Sequence, residues 1–274
     1  MREEVGRGAV VIIGGAEDRA GGAEILREFV RLAGGAGARI SIVATASEIA
    51  SEIAADYTDV FRRLGAAQVN DLEIDDRADA DGAGTLAAVE HSTGVFFTGG
   101  NQLRLTGVLG GTRLDALLHR MHERGLVLGG TSAGAAIMSR VMITGGPPVS
   151  TLRAGSVELS PGMEFVPGVI VDQHFEERGR LRRLLSAVAQ HPHDLGLGID
   201  ENTAAIVSGG HFEVVGAGAV TVIDASCLTH TNLSELQGSQ LLAICGVKIH
   251  VLPAGYALNL RDRTPVAPAL AHKA

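Results

Sequence analysis

Short apolar runs alternate with longer amphipathic stretches through the first half of the chain. The runs at 9–13, 39–44, 68–72, 94–97 and 126–128 each predict a strand. Between them, 22–33, 51–64, 81–90, 102–109 and 111–124 predict helices. In the first of these, Ile25, Leu26, Phe29, Val30 and Ala33 fall at helical spacing and form one apolar face. Strands that are apolar throughout, taken in turn with helices, belong to a parallel sheet covered on both faces. Further strands are predicted at 168–171 and 197–199. After about residue 203 the pattern changes to short strands at 204–208, 212–216, 219–223 and 247–252, joined by turns such as Gly209-Gly210. These predict antiparallel pairs at the sheet edge. The expected fold class is therefore α/β: a three-layer sandwich with a mostly parallel doubly wound sheet and antiparallel strands added near the C-terminus. It should form a single domain over 1–274, with the Pro/Ala-rich tail 261–274 loosely held.

Composition narrows the class. A length of 274 residues is near the upper limit for one hydrophobic core. No run approaches the roughly 18 apolar residues of a membrane helix. Glu3 and Glu4 precede the first short apolar run, where a signal peptide would carry a basic region, so the expected location is cytoplasmic. The net charge of −8 and the lack of Trp argue against a nucleic-acid partner and weakly favour a cationic or zwitterionic ligand. The basic cluster that stands out is Arg178, Arg180, Arg182 and Arg183. Cys227 and Cys245 lie in apolar segments and are expected to be buried free thiols. The 37 glycines are about twice the usual share, and many follow apolar runs, where strands turn into loops.

Candidate chemistry begins at Gly130-Thr131-Ser132-Ala133-Gly134, which follows an apolar strand and precedes a helix-forming run. A nucleophile elbow needs that order, with small residues at −2 and +2 so that strand and helix can pass closely. The backbone N–H of Ala133 is then placed to meet a developing oxyanion. Of ten histidines, His174 directly follows a predicted strand, and strand ends line the ligand crevice of a doubly wound sheet. His119 and His122, three apart on a polar helix face, are expected to be solvated, and His191-Pro192-His193 reads as a surface loop. Asp200 and Glu201, at the next strand end, can supply the carboxylate that orients the base. Asp172 competes for that role, but on a strand it points to the same side as His174. The order Ser…His…acid differs from that of α/β-hydrolases and points to another fold.

Taken together, Gly14–Asp18, Thr98–Arg104, Gly129–Ser139, Asp172–Phe175 with Arg178, Arg180 and Arg183, and Gly198–Ala204 resemble the cyanophycinase family of serine peptidases, which also holds aspartyl dipeptidase. The resemblance covers most of the first 205 residues. It implies a fold similar to class I glutamine amidotransferases, with Ser132 as nucleophile, His174 as base and then acid, and Glu201 as orienting acid. Gly100 and Ala133 would supply oxyanion N–H groups, and Gln102, Asp172, Gln173, Arg178, Arg180 and Arg183 would contact substrate. Asn101 stands where the family carries Asp. The implied substrate is cyanophycin, a poly-aspartate with arginine on each β-carboxyl, cut to β-aspartyl-arginine by a homodimer without metal or cofactor. By charge, Glu17, Asp18 and Glu158 are candidates to hold the substrate arginine. Two rivals are a peptidase for other acidic peptides, resembling aspartyl dipeptidase, and a non-catalytic binding protein on the same scaffold. The presence of all three triad residue types argues against the second.

Overall fold

The computed structural model of the chain describes residues 6–146, 152–153, 157–237 and 240–268. The five early apolar runs form β1 (Val10–Ile13), β2 (Arg39–Val43), β3 (Gln68–Leu72), β4 (Gly94–Phe97) and β5 (Val127–Thr131). All five are parallel, in the order β1-β5-β4-β2-β3. Between them lie α1 (Glu24–Leu32), α2 (Ala50–Arg63), α3 (Arg77–Ala80), α4 (Ala83–Glu90), α5 (Gln102–Leu109) and α6 (Arg113–His122).

Because alternate strand residues face opposite ways, β1 feeds two cores. Val11 and Ile13 pack with Phe29 of α1, Phe61 of α2 and Phe96 of β4, whose rings approach one another at 5.2–5.5 Å between centroids. Val10 and Ile12 face the other core, with Leu105, Leu109, Leu114 and Leu118 from α5 and α6.

The second half contains α7 (Ala133–Ala136), β6 (Val141–Gly145), β7 (Glu158–Pro161), β8 (Val169–Gln173), α8 (Leu181–Gln190), β9 (Leu195–Ile199), β10 (Thr203–Ser208), β11 (His211–Gly216) and β12 (Ala219–Asp224). The short strands β13 (His230–Thr231) and β14 (Ile244–Cys245) pair with each other, as do β6 and β7. β15 (Lys248–Pro253), β16 (Ala257–Asn259) and β17 (Pro265–Val266) complete the series.

Here the topology departs from the expectation of one sheet. β10, β11, β16 and β17 extend the main sheet antiparallel to nine strands, whereas β8 and β9 join β12 and β15 in a separate sheet of order β15-β12-β9-β8. The reason lies at β1. Its free edge is taken by β10, in the register Val10↔Val207 to Ile13↔Ala204, so β8 and β9 cannot pair there. The second sheet packs Val171, Leu197 and Val222 on the α5/α6 side of the main sheet, and α8 covers its outer face through Leu184 and Val188.

Three smaller expectations are also corrected. Within the tail, β17 pairs with β16 and Arg263 Nη1 lies 2.6 Å from Asp224 Oδ1, so its described part is held, while 269–274 lie outside the described residues. Cys227 and Cys245 are free but exposed, because their segments lie outside the packed layers. His122 is buried with its Nδ1 2.9 Å from the Leu126 carbonyl oxygen, and burial lowers its pKa; only His119, stacked on Phe165, stays partly exposed. Among the described residues no helix is long and apolar enough to cross a membrane.

Candidate active site

β5 ends at Thr131, and the next residue turns sharply: Ser132 has φ 52° and ψ −109°, a region that L-residues rarely occupy. Two glycines make the turn possible. A Cβ on Gly130 would overlap the carbonyl of Gly134, and one on Gly134 would overlap the carbonyl of Phe97. The helix that follows is a single turn, Ala133–Ala136, shorter than the run of helix formers predicts. Its macrodipole is correspondingly small, so any help to an oxyanion comes from individual N–H groups.

The end of β1 brings the remaining residues to this turn through three consecutive carbonyls. Ile13 C=O accepts from Ser132 N–H at 3.1 Å, Gly14 C=O from His174 N–H at 2.8 Å, and Gly15 C=O from Asn202 N–H at 2.8 Å. Ser132 thus hangs from the main sheet, while His174 and Glu201 follow β8 and β9 of the second sheet. The sequence places all three at strand ends of one sheet; they stand at strand ends of two sheets joined at β1. The junction is tight enough to force unusual backbone: Ala16, His174 and Asn202 have φ of 47°, 47° and 46°. Asn and His tolerate this region better than most residues.

Ser132 Oγ lies 3.0 Å from His174 Nε2, and His174 Nδ1 lies 2.5 Å from Glu201 Oε1. A carboxylate at Nδ1 sets the tautomer in which Nε2 carries the lone pair, ready to take a proton from the hydroxyl. Asp200 plays a different part. Its oxygens accept from the backbone N–H groups of Glu176 and Ala219, and burial raises its pKa.

The Arg-rich segment differs from the expectation of direct ligand contact. Asp172 is fully buried, and Arg183 grips it bidentately, Nε to Oδ2 at 2.9 Å and Nη2 to Oδ1. Arg180 lies 3.5 Å from Asp172 Oδ1 and donates to the backbone carbonyl of Gln173; burial, then the neighbouring Arg183, lowers its pKa to about 10. A carboxylate with no exposed surface cannot touch a ligand in this arrangement, so Asp172 is a structural anchor. Gln173 is also buried, while Arg178 is exposed. Gln102 Nε2 donates to the Ile143 carbonyl at 2.9 Å, and Asn101 caps α5 by accepting from Leu103 and Arg104 N–H. Gly99 lies beside the serine, where a Cβ would come 3.4 Å from Ser132 Cβ, and Gly100 adjoins it with φ 140°.

A cavity of about 280 Å³ opens at Ser132 and His174, lined also by Glu17, Arg19, Ile49 and Tyr57. Glu17 is buried and accepts from Thr131 Oγ1 at 2.6 Å and from the Tyr57 hydroxyl. Charge alone marks Glu17 in the sequence; its place beside Ser132 comes from the turn after β1. A second cavity of similar size, about 290 Å³, is lined by Arg7, His122, Phe165 and Leu260 and includes neither Ser132 nor His174.

Residues 10–215 match the family described as Peptidase family S51. The chain is 42% identical over 264 residues to a cyanophycinase of Trichormus variabilis, spanning 96% of this chain and 88% of that one. It is 39% identical to a cyanophycinase of Geminocystis herdmanii, over 95% of this chain and 97% of that one. A crystal structure of a peptidase from an acI-B1 Actinobacterium superposes with a TM-score of 0.66 at 20% identity, covering 93% of this chain and 98% of the other. A putative peptidase E of Listeria monocytogenes EGD-e does so with a TM-score of 0.55 at 16% identity, covering 77% and 100%. These two share the fold; the match over residues 10–215 and the two cyanophycinases place the chain more closely, and it belongs to peptidase family S51.

Proposed function

We propose that this serine-type peptidase hydrolyses the poly-aspartate backbone of cyanophycin from a chain end and releases β-aspartyl-arginine. The observation that carries the reading is the continuous path Ser132 Oγ–His174 Nε2–Glu201, at 3.0 and 2.5 Å, in a chain about 40% identical to cyanophycinases over nearly its whole length. Ser132 Oγ attacks the scissile carbonyl carbon as its proton passes to His174 Nε2, and Glu201 stabilises the imidazolium. The N–H groups of Gly100 and Ala133 receive the oxyanion. His174 then returns the proton to the leaving amine, and the C–N bond breaks to leave an acyl-enzyme on Ser132. Water, deprotonated by His174, repeats the attack and frees the product. Arg178, exposed and with its backbone N–H on the His174 carbonyl, meets the carboxylate-rich polymer. Resemblance to the family supports a single peptidase domain that works as a cytoplasmic homodimer with no cofactor; light scattering tests the dimer.

Incubation with purified cyanophycin and mass analysis of the products tests the activity. β-Aspartyl-arginine is expected from the wild-type protein, and Ser132→Ala should lower kcat by about 10³-fold or more. Cleavage of Asp-X dipeptides without any β-aspartyl-arginine from cyanophycin would replace this reading with that of a peptidase for other acidic peptides.

A further inference from the structure

We propose that Glu17 is the specificity-determining residue of the catalytic cavity and takes the guanidinium of the substrate's arginine. The inference rests on the cyanophycin reading above and deepens it. Of the three acidic candidates, two are placed elsewhere. Asp18 spends both oxygens on the backbone, accepting from Ala20 and Gly21 through Oδ1 and from Ala23 through Oδ2, which closes the turn into α1. Glu158 is exposed on β7 and does not line the cavity at Ser132. Glu17 lines that cavity, is only 6% exposed, and adjoins the nucleophile turn through Thr131.

Its hydrogen bonding leaves room for a ligand. A carboxylate has about four lone-pair sites, and two are filled, one on each oxygen, by Tyr57 and Thr131. Both partners are neutral hydroxyls. Burial, then the charge of Glu17 itself, raises the Tyr57 pKa well above its ordinary value, so the phenol keeps its proton. Among the described residues Glu17 forms no ion pair. A buried carboxylate without a counter-ion is costly, and a guanidinium supplies both the charge and a two-pronged donor. Ile49, Ile53 and the Tyr57 ring also line the cavity and suit the three methylenes of an arginine side chain.

The opposite charge is present as well. Arg19 shares the cavity, with its guanidinium carbon 5.3 Å from the centre of the Tyr57 ring and only a loose, exposed contact of 3.7 Å to Asp56. In cyanophycin each arginine is joined through its α-amino group, so its α-carboxylate is free. Glu17 and Arg19 together match the two charges of that arginyl branch.

Short synthetic oligomers of β-aspartyl-arginine and β-aspartyl-citrulline test this, since citrulline keeps the shape and loses the charge. The wild-type protein should favour the arginyl oligomer in kcat/KM by roughly tenfold to a hundredfold. In Glu17→Gln, checked as folded by circular dichroism, the ratio should fall to within about threefold of one. A ratio near one in the wild-type protein overturns the proposal and leaves the function standing. An equal loss on both oligomers, with the ratio preserved, also overturns it, because Glu17 then only holds the Ser132 turn through Thr131. No cleavage of either oligomer or of cyanophycin by the wild-type protein defeats the function reading itself.

Discussion

Gly15 holds φ at 102°, and its Cα lies so close to the candidate base that a Cβ would fall 2.6 Å from His174 Nε2. Gly15→Ala therefore acts twice. It places an L-side chain where only glycine is comfortable, at about 1–2 kcal/mol, and it displaces the imidazole from Ser132. Positioning errors of about 1 Å cost on the order of 10²-fold in rate. The expected outcome is a kcat/KM lower by roughly 10²-fold or more on cyanophycin, with Tm lower by only about 2–8 °C; a loss of activity that merely tracks unfolding would refute it. The nearness of Ser132 and His174 is legible in the sequence, because each follows an apolar run and carries chemistry that a serine hydrolase needs; that pattern leaves Asp200 and Glu201 both open, and the resemblance selects Glu201. The closeness of Gly15 to His174 is not legible. It depends on an approach between segments about 160 residues apart, which no local pattern encodes.

β8 and α8 show how far charge patterning reaches. The run of arginines after His174 reads in sequence as a set of ligand contacts or a solvated face. The structure divides it: Arg180 and Arg183 turn inward to the buried Asp172, while Arg178 and Arg182 are exposed. A pattern of residue types says where guanidinium groups stand but not whether a carboxylate 8 or 11 residues back will claim them. The same limit hid the split into two sheets, since continuous apolar runs look alike whichever sheet they join. Asp172→Asn would leave two cations without a counter-ion inside the protein and should lower unfolding free energy by about 3–5 kcal/mol in urea titration. Arg178→Ala, by contrast, should change stability by about 0.5 kcal/mol or less. It should raise KM for cyanophycin roughly 2–5-fold, with the difference shrinking as salt is added. An Asp172→Asn protein of full stability would mean that α8 is not tied to β8 by this pair.

Beyond the shared core and the end of β1, the last described segment of the chain also ties the main sheet to the second. There Arg263 bonds Asp224 at the end of β12 and, through Nη2, the carbonyl of His193 ahead of β9, so one side chain joins the β16–β17 extension of the main sheet to two strands of the second. Pro and Ala in the composition carry little to bury; β17 pairing and a part-buried ion pair supply the anchor instead. Burial pushes the Asp224 carboxyl up, but donation from Ser226 N–H and then from Arg263 outweighs it, and the net pKa is lowered from 3.8. A folded-state pKa below the unfolded one gives stabilisation that is complete above the unfolded value and is lost as pH falls through the folded value. Arg263→Ala should cost about 1.5–3 kcal/mol at about pH 7, and the gap to the wild-type protein should narrow as pH falls below 3.8 and Asp224 takes up its proton. Urea midpoints across that range measure it. A gap independent of pH would show that Arg263 acts through the His193 carbonyl and not through the carboxylate.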